Sequence, residues 1–131
     1  MAACCEGEGT CRLQFSCRPV YFARGWARFQ GGDYRRAYDD FTRVMVAAAG
    51  VDLLAERAGC IRAAAAADAG WWHLAGSDAE DCVAAFPDLY VVRGFRGWVR
   101  FRRGEYGGAL RDVADAGILY GAELVRETLE E

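Results

Sequence analysis

The chain repeats itself, and the repeat limits what it can fold into. Three windows align without a gap: RGWARFQGGDYRRAYDDF at 24–41, RAAAAADAGWWHLAGSDA at 62–79 and RGWVRFRRGEYGGALRDV at 96–113. Each opens on an arginine followed by a small residue, Arg24 and Gly25, Arg62 and Ala63, Arg96 and Gly97. Eight positions after the arginine comes a glycine (Gly32, Gly70, Gly104), and two further on an aromatic residue (Tyr34, Trp72, Tyr106). An alanine (Ala37, Ala75, Ala109) and an aspartate (Asp40, Asp78, Asp112) complete the set. Successive copies are offset by 38 and 34 residues, and self-similarity at such a period marks a repeat architecture.

Each copy reads as helix, tight turn, helix. The small residue after the arginine lets two helices approach closely. The mid-repeat glycine ends the first helix, because it tolerates the left-handed conformation found just past a helix end. The aromatic residue wedges the corner, and the later alanine fits the helix crossing. The pattern predicts first (A) helices near 19–30, 54–68 and 89–103, and second (B) helices near 34–48, 72–85 and 106–119. Repeats then span about 18–51, 56–89 and 90–121, with a cap at 122–131 that extends or closes the array. Abundant alanine favours helix, and no long alternating β-branched run argues for strands.

Residues 1–17 carry Gly7 and Gly9 without apolar periodicity and are expected to form a flexible tail. Four of the six cysteines, Cys4, Cys5, Cys11 and Cys17, lie there; Cys60 and Cys82 lie in the repeats. The N-terminus shows neither the basic nor the apolar stretch of a signal peptide. Reduced thiols and a cytoplasmic location are therefore expected, with Cys82 a small core residue. No apolar run has the length of a membrane span. The net charge of −3 argues against nucleic acid as a partner.

The residues quoted resemble the tetratricopeptide repeat, whose period is about 34 residues with small residues at the helix crossings. The likeness covers roughly 18–121 and is strongest in copy one, at Gly25, Ala27, Gly32, Asp33, Tyr34, Ala37 and Phe41. Copy three matches at Gly97, Gly104, Tyr106 and Ala109, and Pro87 falls where the family ends its second repeat. The large residue early in helix A is Tyr21 in copy one but Gly59 and Arg93 in the others. The resemblance implies an all-α array of three antiparallel helical hairpins in a right-handed superhelix, plus a C-terminal capping extension. It also implies a groove on the A helices that holds a partner's peptide, and no catalytic residues.

The repeat arginine and aspartate stand sixteen residues apart in every copy. We read Arg24 with Asp40, Arg62 with Asp78, and Arg96 with Asp112 as structural ion pairs joining helix A to helix B, in preference to a ligand role. Arg93, Arg96, Arg100 and Arg103 share one helix face. Arg93, Arg100 and Arg103 are the candidate anion contacts, set against a solvated face neutralised by nearby acids.

Some domains of this family grip acidic chaperone tails through a carboxylate clamp. The corresponding positions here are Phe22, Trp26, Ile61, Val91 and Phe95, all apolar. A carboxylate there would be desolvated without a donor, so that mode is not expected. Phe29, Trp98 and Phe101 fall on or near the same surface. An external peptide or helix, the chain's own 13–17 segment, or a second copy could fill such a groove, or stacking could bury it. The sole histidine, His73, has no nucleophile motif beside it, and the cysteines give no CxxC pair. No cofactor, metal or catalysis is expected. The expected function is that of an adaptor that binds another protein; the alternative is a structural subunit whose groove is a permanent homo- or hetero-oligomer interface.

Overall fold

The computed structural model describes residues 17–47 and 52–130. Among the described residues six helices follow one another: α1 (Arg18–Gln30), α2 (Tyr34–Val46), α3 (Leu53–Asp68), α4 (Trp72–Ala85), α5 (Tyr90–Arg102) and α6 (Tyr106–Glu130). They pair as α1–α2, α3–α4 and α5–α6, and each hairpin packs on the next through α2–α3 and α4–α5. No strand occurs among the described residues. The expectations for residues 1–16, a flexible tail and a self-docking segment, lie outside the described residues. Cys17 is described; it stands at the N-cap of α1 and is buried.

The three hairpin turns share one closure. Gly32, Gly70 and Gly104 have φ of 85°, 84° and 84°, a conformation open to glycine at little cost. The next residue's amide returns to the carbonyl five back: Asp33 to Arg28 at 2.9 Å, Trp71 to Ala66 at 2.8 Å, Glu105 to Arg100 at 2.8 Å. These bonds satisfy carbonyls that the helix end leaves open. Asp33 and Asp52 then cap α2 and α3 by accepting from the amides of Arg36 and Ala55.

Small residues sit where the helices of a hairpin cross. A Cβ on Gly25 would lie 3.0 Å from the Phe41 ring, and one on Gly97 would lie 2.9 Å from Cβ of Asp112. Gly59 stands where copy one has Tyr21 because the Met45 side chain reaches over from α2; a Cβ there would meet it at 3.2 Å. The first junction is filled by Tyr21, Phe41, Val44 and Ala58, with Phe22, Phe29 and Ile61 against them. The second is filled by Ala66, Ala67, Ala75 and Val99, with Trp72 and Phe95.

α6 runs uninterrupted from Tyr106 to Glu130, past the B-helix end expected near 119, so 122–130 extends the array as one continuous helix. One expectation is overturned: the described cysteines are not reduced. Cys60 and Cys82 form a disulfide between α3 and α4, with Cα atoms 5.2 Å apart, and Cys17 is disulfide-bonded as well. Their 22-residue separation carries no local motif; only the antiparallel packing of α3 on α4 brings the two sulfurs together.

Candidate functional site

The repeat arginines lie on the A helices and turn inward to the B helices. Arg24 donates to both oxygens of Asp40, at 3.0 and 2.8 Å. Arg62 grips Asp78 at 2.7 Å through both donors, and Arg96 grips Asp112 at 3.0 and 2.7 Å. All three aspartates are buried. The hydrogen bonds that Arg62 donates to Asp78 raise its pKa above the ordinary value and outweigh desolvation; those to Asp112 do the same for Arg96. Arg62 and Arg96 also tie their hairpins to the ones before. Arg62 donates to Thr42 at 3.1 Å and lies 5.0 Å over the Tyr38 ring, and Arg96 donates to Glu80 at 3.2 Å.

Each arginine singled out for anions already faces a carboxylate. Arg93 pairs with Asp115 at 3.5 Å and donates to the Pro87 carbonyl at 2.8 Å. Arg100 reaches Glu80 at 2.7 Å and Asp112 at 3.0 Å, and Arg103 reaches Glu105 at 3.4 Å. An incoming anion would have to displace these partners. One of the ion pairs that the sequence reading missed joins two hairpins outside the repeat pattern. Arg18 grips Asp52 at 2.7 and 2.6 Å and donates to the Val44 carbonyl at 3.1 Å, locking the start of α1 to the start of α3. The bond from Arg18, then that from the Ala55 amide, hold the Asp52 carboxyl at about 2. A spacing of 34 that occurs once gives no repeat signal.

The apolar side chains assigned to a groove fall in different places. Phe22 and Ile61 line an open hollow of about 410 Å³ together with Arg57, Cys60, Phe86, Leu89 and Val92. All three A helices contribute to it, and the disulfide-bonded Cys60 forms part of its wall. Val91, beside Val92, is exposed, and Trp26 is half exposed with its ring 5.9 Å from Phe29. Phe29 packs on the first junction and Phe95 on the second. Trp98 and Phe101 line a different groove, of about 480 Å³, with Gly94, Tyr106, Leu110 and Val113 between α5 and α6. Trp98 also meets Trp72 edge to face at 5.1 Å. His73 is exposed at the start of α4. Among the described residues no helix is long and apolar enough to cross a membrane.

Stacked helical hairpins closed by glycine turns define a repeat array, and the fold is that of the tetratricopeptide repeat. The crystal structure of MamA is similar, with a TM-score of 0.74 at 15% identity over 86% of this chain and 63% of that one. The first and second TPR of Spaghetti (RPAP3), each bound to the HSP90 peptide SRMEEVD, are similar too. The first gives a TM-score of 0.70 at 21% identity over 90% of this chain and 97% of that one. The second gives 0.69 at 21% identity over 82% and 90%. This chain thus spans less than two thirds of the MamA chain. No protein-family model and no curated protein matches it.

Proposed function

We propose that the chain is a non-catalytic adaptor that holds an apolar peptide or helix of a partner protein in the hollow across α1, α3 and α5. The observation that carries this reading is the lining of that hollow: Phe22, Ile61, Phe86, Leu89 and Val92, with a cation, Arg57, at one place. An apolar segment loses water there without stranding a charge, and its anchors gain contact with side chains from separate helices. The similar RPAP3 domains are bound to the HSP90 peptide SRMEEVD, which is acidic. The positions that correspond to an acidic-tail clamp are apolar here, so we expect no binding of that peptide. The proposed cytoplasmic location loses its support from reduced thiols, since Cys60 and Cys82 are joined.

Panning a display library of short peptides tests the reading. Winners should carry apolar anchors, should bind in preference to SRMEEVD, and should lose at least tenfold in affinity to Leu89→Asp, an exposed position in the lining. Equal affinity of wild type and Leu89→Asp for every winner would refute it.

A further inference from the structure

The two ends of this array carry the two unfilled halves of one interface. Inside the chain, each hairpin presents a face that the next A helix covers. In the first hairpin that face includes Phe29, Tyr34 and Phe41, and α3 packs on it through Ala58, Ile61 and Ala65. In the second it is built of Ala66, Ala67 and Ala75 with Trp71 and Trp72, and α5 packs on it with Phe95 and Val99. In the first junction, then, large residues of the open face meet small residues of the incoming helix, Ala58 and Ala65.

The third hairpin repeats the first. Adding 72 residues turns Phe29, Tyr34, Tyr38 and Phe41 into Phe101, Tyr106, Leu110 and Val113. No described helix covers these. Phe41 is 0% exposed in the first hairpin, whereas its counterpart Val113 is 59% exposed and Leu110 is 73% exposed. Together they line the groove of about 480 Å³ between α5 and α6. Since α6 continues straight to Glu130, it does not turn back over this groove as α2 is followed by α3. As in the first junction, where Ala58 and Ala65 of α3 meet Phe29, Tyr34 and Phe41, the groove fits a helix with small residues at the docking positions.

The opposite end supplies such a helix. Subtracting 38 residues places Val20, Ala23 and Ala27 of α1 at the positions of Ala58, Ile61 and Ala65. Val20 is 51% exposed, and Ala23 and Ala27 are exposed too. We propose that copies of this chain associate head to tail, the outer face of α1 in one copy filling the α5–α6 groove of the next and continuing the helical stack. The interface is heterologous, so its donor and acceptor faces differ and nothing in it closes a dimer. It lies at the ends of the array and does not use the hollow of the proposed adaptor site. The residue of α6 that corresponds to Thr42 and Glu80, the acceptors at the internal junctions, is Ala114. The junction between copies therefore lacks the arginine–acceptor hydrogen bond of the internal junctions.

Sedimentation velocity on the full chain tests this. The weight-average mass should rise with concentration and pass that of a dimer. Leu110→Asp, which spoils the acceptor, and Ala27→Arg, which spoils the donor, should each abolish association while keeping the wild-type helical spectrum and urea midpoint. An equimolar mixture of the two variants should form a heterodimer and stop there, because one good donor and one good acceptor remain. Wild type that stays monomeric overturns the proposal and indicates that another segment or another protein covers the groove. Continued association of either variant alone, or a mixture that stays monomeric, overturns it equally.

Discussion

The Asp40 carboxylate is fully buried inside the first hairpin, and the Arg24 guanidinium holds both of its oxygens from the facing helix. Arg28 and Arg43 add bonds of 2.9 and 3.1 Å. Removing the carboxylate would strand three cations with restricted access to water. Breaking a buried pair of this kind costs about 3–5 kcal/mol, and the partial exposure of the arginines places Asp40→Ala near the lower end. Thermal melting followed by circular dichroism should show Tm lower by roughly 10 °C. An unchanged Tm would mean that the cluster contributes no net stability.

The third hairpin offers a contrast within one network. Arg96 and Arg100 both reach Glu80 and Asp112, but Glu80 is half exposed and Asp112 is buried. Water and salt screen the first, so Glu80→Gln should cost less than about 1 kcal/mol. Asp112→Asn should cost several times more. Urea denaturation of the two variants should give that order.

Asp52 sets an acid limit. Its folded-state value of about 2 lies below the ordinary 3.8, chiefly through Arg18. A lowered carboxylate value contributes stability that is fully present above the unfolded value and is lost as pH falls through the folded one. The urea midpoint should thus fall between pH 4 and pH 2, and Asp52→Asn should flatten that part of the profile.

The Cys60–Cys82 bond closes a 22-residue separation. Chain-entropy reasoning gives about 3 kcal/mol for a loop of this order. Cys60→Ser/Cys82→Ser should lower stability by that amount and leave the helical spectrum unchanged. Intact-mass analysis after alkylation without reductant should find neither cysteine modified in wild type.

The glycine turns give a purely backbone test. Nothing lies within 4 Å of a Cβ built on Gly104, where φ is 84°. Gly104→Ala should still cost about 1 kcal/mol, because the left-handed conformation disfavours any side chain. Melting curves should show it.

The sequence determined the local architecture. The glycine eight residues after each repeat arginine takes the positive φ that closes the hairpin turn, a conformation open to glycine at little cost. Apolar and small residues at helical spacing then set three hairpins, and the predicted helix ends lie within two residues of the observed ones, apart from the end of α6. The tertiary structure decided what depends on distance between elements. It joined Cys60 to Cys82 and Arg18 to Asp52, gathered Arg28, Arg43 and Glu80 onto ion pairs whose spacing alone was legible, and divided the apolar side chains between an inner hollow and an open end. A repeat records what every copy shares. Contacts made once, and the face left open where the stack stops at α6, depend on how the hairpins lie in space and have no period to reveal them.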